Sequence, residues 1–162
     1  MEHISINGLN VAVRQAGAGV TVIAVHCSSS HSGQWKPLIE ALEGHCRVLA
    51  PDLHGYGQSD PFPQDGRGWV WHDPAMLRVL IEQADGPVHL VGHSLGAAVA
   101  FRAAIGNTAV ASLCLYEPVL FPLLEEAGLV EANDAWWIAA RVHGYLRLGQ
   151  PEEAARQFVD FW

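Results

Sequence analysis

Residues 88–104 (VHLVGHSLGAAVAFRAA) constrain the fold of this chain more than any other segment. The run before Gly92 is short and apolar, as in a strand that is covered on both faces. The run after Ser94 is small and apolar on nearly every side, which is typical of a buried helix. Because the backbone is crowded where such a strand turns sharply into such a helix, the residues that flank Ser94 must be small, and Gly92 and Gly96 meet that need. The pattern predicts a strand–turn–helix unit with the Ser94 hydroxyl exposed at the turn.

Three further apolar runs are predicted strands of the same sheet, and predicted helices separate them. Alternating buried strands and helices imply right-handed βαβ units and a parallel sheet. Residues 3–14 add an antiparallel hairpin at one edge, because Asn7-Gly8 is a turn pair that tolerates positive φ. The predicted fold class is therefore α/β, in three layers around a mostly parallel sheet. The three runs are VTVIAVHC at 20–27, CRVLAPDL at 46–53 and VASLCLYEP at 110–118.

Two of the intervening helices carry start signals. Ser32 can cap a helix over residues 32–45, whose apolar side chains follow the i, i+3, i+4, i+7 spacing of an amphipathic helix. Asp73 is a good N-cap residue and Pro74 suits a first turn, so the next helix is expected to begin there.

The pattern changes after Pro122. The segments LLEEAGL, DAWWIAARVHGYLRLG and PEEAARQFVDFW are predicted helices with no strand between them. We therefore divide the chain into an α/β core at residues 1–122 and the start of a helical cap or lid at residues 123–162. In the last helix, Phe158, Val159 and Trp162 form an apolar face.

Composition excludes several classes of function. The 162 residues carry 9 Lys and Arg against 17 Asp and Glu, with a net charge of −8. Without a basic run, neither nucleic acid nor an anionic membrane is an expected partner. No apolar run reaches the roughly 18 residues of a membrane-spanning helix, and the N-terminus does not resemble a signal peptide. The three cysteines form no CxxC pair, so we expect no metal site, a reducing environment and a cytoplasmic location.

Several motifs together resemble the α/β-hydrolase fold family. GHSLG at 92–96 is similar to the family's nucleophile elbow, and DLHGYGQS at 52–59 to its Asp-x-x-Gly-x-Gly-x-Ser loop. The pair His26-Cys27 stands where the family has His-Gly, so Cys27 departs from the pattern. LCLYEPVLFP at 113–122 is similar to the strand that follows the nucleophile helix. The resemblance runs in order over residues 4–122.

The resemblance implies a serine hydrolase. Ser94 would attack a carbonyl and form an acyl-enzyme, and the backbone N–H groups of Ser28 and Leu95 would form the oxyanion hole. A serine at this position, where dehalogenases and epoxide hydrolases of the family have aspartate, implies a small-molecule ester, thioester or amide as substrate. The resemblance implies neither a cofactor nor a metal. His26 is expected to hold the oxyanion loop, and Asp52 to tie its own loop through hydrogen bonds.

The acid and base of the triad have no clear position in this chain. The family order is serine, acid, histidine, but the one histidine after Ser94 is His143, within a predicted helix. Glu117 is an alternative acid, because it ends the strand that follows the nucleophile helix. Trp136 and Trp137 are candidates to line an apolar acyl pocket, with plain packing as the alternative.

We therefore expect these 162 residues to be the N-terminal portion of a longer hydrolase, inactive alone because it lacks the triad histidine. Its sheet would have an unprotected edge at residues 110–116, where we expect any self-association. Two other functions remain open. A non-catalytic α/β-hydrolase-like binding protein would keep the fold without the triad, whereas an acyltransferase or haloperoxidase-like relative would use the same triad.

Overall fold

The computed structural model describes residues 1–161, and a six-stranded mixed sheet forms the centre of the part that spans Met1–Val119. The spatial order is β1-β2-β4-β3-β5-β6, in which β3 to β6 are parallel and the β1–β2 hairpin joins β4 antiparallel. This arrangement confirms the predicted α/β fold class and the hairpin edge. The strands are β1 (Glu2–Ile6), β2 (Leu9–Ala16), β3 (Val20–Val25), β4 (Cys46–Pro51), β5 (Val88–His93) and β6 (Val110–Tyr116).

The described residues contain six α-helices, and the first three of them lie in the same compact unit as the sheet. A 3₁₀ turn at Ser32–Trp35 precedes the first of them, so the predicted single helix over this region is in fact two short elements. The helices are α1 (Lys36–Leu42), α2 (Trp69–Glu82), α3 (Leu95–Ala104), α4 (Phe121–Glu126), α5 (Glu131–Arg147) and α6 (Pro151–Phe161).

The core lies on both faces of the sheet. On one face, apolar side chains of α2 and α3 such as Leu80 and Val99 pack with Ile23 and Leu90 of the central strands in one buried cluster. On the other face, Ile39 of α1 belongs to a smaller cluster with strand residues. The strands read as continuous apolar runs because both faces are covered. Residues 1–119 therefore form the three layers that the sequence predicts.

The predicted start of α2 is wrong. The helix begins at Trp69, and Pro74 lies inside it. Asp73 does not cap the helix, because its carboxylate is buried and accepts hydrogen bonds from the backbone N–H of His54 at 3.0 Å and from the His54 ring at 2.7 Å. The Asp73 side chain, which the sequence pattern predicts as a helix cap, thus makes a tertiary contact with His54 instead.

The chain divides into two compact units, Met1–Val119 and a helical unit that begins at Leu120. In the second unit α5 packs on α6, and Ile138 and Ala154 are buried there. The role of residues 123–162 as a cap stays a prediction, and Trp162 of the predicted apolar face lies outside the described residues. No helix in the described part of the chain is both long and apolar enough to span a membrane.

The difference in burial between two side chains of β3 predicts a difference in their contribution to stability. Ile23 is fully buried, whereas Val20 on the same strand is 50% exposed. Ile23→Ala should lower the free energy of unfolding by about 2–5 kcal/mol, through lost burial and a residual cavity. Val20→Ala should change it by less than about 0.5 kcal/mol. Urea unfolding followed by circular dichroism measures both, and equal losses in the two variants would contradict this account of the core.

Candidate active site

Ser94 occupies a strained turn between β5 and α3. Its φ of 53° and ψ of −115° lie in a region that residues with a side chain rarely adopt. The backbone around it is held from both sides, since the Ser94 N–H donates to the Tyr116 carbonyl at 2.9 Å and the Ser94 carbonyl accepts from Ala98 at 3.1 Å. Such strain costs about 1–3 kcal/mol and persists only where the surrounding structure imposes it. The strained turn therefore lowers the stability of the fold, and the surrounding structure holds Ser94 in this conformation.

Gly92 and Gly96 allow the close approach that creates the turn. A Cβ atom at Gly96 would overlap the carbonyl oxygens of Val25 and His26, at the end of β3. A Cβ atom at Gly92 would overlap the backbone of Ala97 at the start of α3. Because these contacts are with backbone, they cannot be relieved by a side-chain rotation. Both positions therefore require glycine for packing, although neither has positive φ.

The segment after β3 is fixed by the His26 ring. The backbone N–H of Leu53 donates to His26 Nε2 at 2.9 Å, so Nε2 carries no proton. Nδ1 therefore carries it and donates to the Cys27 carbonyl at 2.7 Å. Because a peptide unit is planar and trans, holding the Cys27 carbonyl also directs the Ser28 N–H to the opposite side, away from the ring. His26 thus holds the loop at Ser28, as the sequence predicts.

Burial keeps His26 neutral. The ring is inaccessible to solvent, and this burial lowers its pKa below the ordinary value, although the bond to Cys27 and the charges of Asp52 and Asp73 oppose the shift. A neutral ring is what the bond from Leu53 requires, since a protonated Nε2 could not accept it.

Asp52 ties the loop after β4 to the loop after β3. Its carboxylate accepts hydrogen bonds from the backbone N–H of Ser32 at 2.6 Å and of Gln58 at 2.9 Å. Burial acts to raise the pKa of Asp52, but these bonds outweigh it and the pKa lies below its ordinary value. Gly57 has positive φ and lies against this carboxylate, where any side chain would collide with it. The predicted structural role of Asp52 is confirmed.

The strand register brings three predicted site segments to one edge of the sheet. Val25 pairs with Gly92, and His93 pairs with Tyr116, so β3, β5 and β6 end side by side. The segments that begin with His26, Ser94 and Glu117 follow these ends directly. The carboxyl edge of parallel strands is where α/β proteins place their sites.

The remaining predicted site residues are placed as follows. Leu95 is the first residue of α3, so its N–H lies at the helix N-terminus. Its side chain is buried. Glu117 is exposed and has a φ of 46°. Trp136 and Trp137 lie on α5 of the second unit and are each about half exposed, and Arg141 stacks on the Trp137 ring. Their assignment to an acyl pocket stays a prediction.

The hydrogen-bonded histidine rings near the proposed site have partners other than Ser94. Within residues 1–161, the rings of His26, His54 and His93 bond to Cys27 and Leu53, to Asp73, and to Gln34, respectively. His143 is an exposed residue of α5 in the second unit. No group of three or more His, Cys, Asp or Glu side chains is placed to hold a metal ion in the described part of the chain.

Gln34 is a further residue of this site, and it was not predicted from the sequence. Its side-chain oxygen accepts from the Cys27 N–H at 3.1 Å, and its side-chain nitrogen lies 3.1 Å from His93 Nδ1. No motif or spacing marks this residue, because His93 is 59 positions away in the chain. The one local signal is a polar side chain directly before Trp35, within the predicted helix 32–45.

Comparison with known proteins identifies a family. A family model described as "Alpha/beta hydrolase family" matches residues 22–161. Among curated proteins, the chain is 34% identical over 108 residues to a pimeloyl-[acyl-carrier protein] methyl ester esterase of Methylococcus capsulatus, covering 66% of this chain and 40% of that protein. It is 36% identical over 103 residues to lipase LipV of Mycobacterium tuberculosis, covering 61% and 37%. A soluble epoxide hydrolase of a Corynebacterium species is 28% identical over 152 residues, covering 92% and 51%.

Solved structures share the fold. An alpha/beta hydrolase from Sphaerobacter thermophilus matches with a TM-score of 0.74 at 23% identity, over 98% of this chain and 59% of that one. A thioesterase domain from the curacin biosynthetic pathway matches with a TM-score of 0.65 at 27% identity, over 72% and 45%. The chain spans about half or less of the length of the three curated relatives described above.

The packing at Gly96 can be tested with a matched pair of variants. Gly96→Ala should lower the free energy of unfolding by about 1–3 kcal/mol or more, because α3 must move away from β3. Gly144→Ala, in α5 where no atom lies within 4 Å of the added methyl, should be neutral or stabilising by up to about 1 kcal/mol. Thermal unfolding compares the two, and a neutral Gly96→Ala would contradict the close approach.

The state of His26 predicts a pH dependence of stability. Between its lowered folded pKa and the ordinary value of 6.5, the unfolded chain binds a proton at this ring that the folded chain does not. The free energy of unfolding should therefore fall as the pH drops below about 6.5, by up to about 1.4 kcal/mol per pH unit. His26→Gln should be less stable at pH 8 but should show a shallower loss between pH 7 and pH 5. Urea unfolding at several pH values measures this, and identical slopes would refute it.

Proposed function

The chain belongs to the alpha/beta hydrolase family, and from this we propose that the protein is a serine hydrolase that acts on a small-molecule ester, thioester or amide. The observation that carries the proposal is the backbone of Ser94. A strained, glycine-framed turn at the carboxyl end of β5 presents a hydroxyl at the N-terminus of α3. This is the geometry that a nucleophile requires and that a solvated turn serine does not.

The proposed reaction proceeds through an acyl-enzyme. Ser94 Oγ attacks the substrate carbonyl while a histidine takes its proton, and the carbonyl oxygen becomes an oxyanion. The N–H groups of Ser28 and Leu95 would donate to that oxygen, and the N-terminal end of α3 adds a favourable dipole. The alcohol, thiol or amine then leaves with the proton. Water hydrolyses the acyl-enzyme by the same steps in reverse.

We propose that the whole protein supplies the histidine and the acid from outside residues 1–161. In support, the rings of His26, His54 and His93 bond to groups other than the Ser94 hydroxyl, and the chain spans only 40% and 37% of the esterase and lipase relatives. Glu117 remains the alternative acid, because it follows β6 directly and is exposed.

The names of the relatives support hydrolysis but differ in substrate. They include an esterase, a lipase, a thioesterase domain and epoxide hydrolases. A serine at position 94 favours the first three, because a serine hydroxyl forms acyl esters with carbonyl substrates.

We propose Trp136 and Trp137 as part of an apolar acyl pocket, since each exposes about half of its side chain. Trp136→Ala and Trp137→Ala would then raise the KM for long-chain esters more than for acetate esters.

The proposed nucleophile predicts covalent labelling. A fluorophosphonate probe should label a longer form of the protein that carries the rest of the hydrolase, and should label these 162 residues little or not at all. Ser94→Ala should abolish the labelling and should lower hydrolysis of a p-nitrophenyl ester by about 10⁴-fold or more.

Ser112→Ala is the matched control, because Ser112 is an exposed serine of β6 whose hydroxyl bonds to His89. It should keep both the labelling and the turnover. Absence of labelling in a folded longer form would instead favour a non-catalytic binding protein. Rapid transfer of the acyl group to an alcohol or amine in place of water would favour an acyltransferase.

A further inference from the structure

Gln34 bridges two segments of the proposed site that are far apart in the chain. It lies in the 3₁₀ turn Ser32–Trp35, and its side chain bonds to Cys27 in the loop after β3 and to His93 beside Ser94. We propose that Gln34 is a positioning residue that holds the oxyanion loop against the nucleophile turn. The inference rests on the proposed function, because it concerns the site of that reaction.

The bond to Cys27 completes the fixation of the oxyanion loop. The Cys27 N–H is held by Gln34 Oε1, and the Cys27 carbonyl is held by His26 Nδ1. Both peptide planes at Cys27 are therefore fixed, and the second of them carries the Ser28 N–H. His26 attaches this loop to the loop after β4 through Leu53. Gln34 attaches it to the nucleophile turn through the side-chain hydrogen bond to His93.

The two bonds also determine which ring nitrogen of His93 carries the proton. The Cys27 N–H can only donate, so the atom of Gln34 that faces it is the oxygen and the amide nitrogen faces His93. The amide nitrogen can only donate, so His93 Nδ1 is an unprotonated acceptor and Nε2 carries the proton. The His93 ring also packs against Tyr116, with ring centres 5.0 Å apart. The bridge therefore requires a neutral His93 in a single tautomer.

This geometry connects both proposed oxyanion donors to one side chain. Ser28 directly follows Cys27, and Leu95 lies two residues after His93. Without Gln34, the backbone contacts of Gly92 and Gly96 would still hold β3 and α3 together, but the loop at Cys27 and Ser28 would lose its side-chain bond to the nucleophile turn. The spacing between the two N–H groups would then be less tightly fixed. A donor that shifts by a fraction of an ångström loses much of its effect on a transition state. We therefore expect Gln34 to act on kcat rather than on substrate binding.

Two substitutions separate positioning from packing. Gln34→Met keeps an unbranched side chain of similar size and removes both bonds. Gln34→Glu keeps the acceptor for the Cys27 N–H, and its second oxygen can accept from His93 if the imidazole proton moves to Nδ1. The glutamate variant therefore re-forms the bridge with the direction of the second bond reversed. Gln83→Met is the control, because Gln83 is exposed at the end of α2.

The bridge itself is measured by NMR on the ¹⁵N-labelled chain. Gln34→Met should speed hydrogen exchange of the Cys27 amide about tenfold or more and should make the His93 ring sample both tautomers. Gln34→Glu should keep the Cys27 amide protected and move the His93 proton to Nδ1, because a carboxylate oxygen that only accepts then faces that nitrogen. A packing role alone predicts none of these site-specific changes, and their absence in both variants would overturn the proposal.

The effect on the reaction is measured on the longer form with a p-nitrophenyl ester. Gln34→Met should lower kcat about tenfold with little change in KM, Gln34→Glu should recover most of the loss, and Gln83→Met should match the wild type. An unchanged kcat in Gln34→Met, with the bridge shown broken by NMR, would overturn the positioning role while the proposed function stands. If Ser94→Ala leaves turnover intact, the proposed function fails and the positioning role fails with it, even where NMR shows the bridge.

Discussion

The close approach of α3 to the end of β3 is the contact on which the rest of the structure depends. It exists because Gly96 lies against the carbonyls of Val25 and His26, with no space for a side chain. The same approach lets Val99 and Ala103 join the main core cluster. It also places the N-terminus of α3 beside the segment that leaves β3. One backbone contact thus contributes both to the core and to the candidate site.

The loops at this edge are held by buried polar groups rather than by apolar contacts. His26, Asp52 and Asp73 are buried, and the side chain of each bonds to a backbone N–H or carbonyl group of a loop. The ring of buried His54 bonds to the Asp73 carboxylate. A buried polar group that loses its partner costs about 1–3 kcal/mol. Each of these bonds therefore disfavours any alternative conformation of the loops. These bonds thus hold the irregular segments that carry the proposed N–H donors.

The features predicted from sequence are those that local patterns determine. The strands follow from apolar runs, and the hairpin from Asn7-Gly8, whose φ values are both positive as expected. The turn at Ser94 follows from two glycines between a buried strand and a buried helix. The failures depend on distant partners. Asp73 bonds to His54 instead of capping α2, and Gln34 bonds across 59 positions to His93. Patterns of a few neighbouring residues cannot indicate such pairs, because their members lie 19 and 59 positions apart.

The central claim is that Ser94 and the N–H groups of Ser28 and Leu95 form one catalytic site. A crystal structure of the longer protein after reaction with a phosphonate ester tests it most directly, because the adduct imitates the tetrahedral intermediate. We expect the phosphorus bonded to Ser94 Oγ and its free oxygen within about 3 Å of both N–H groups. An adduct on another residue, or a phosphonyl oxygen that contacts neither N–H group, would contradict the account.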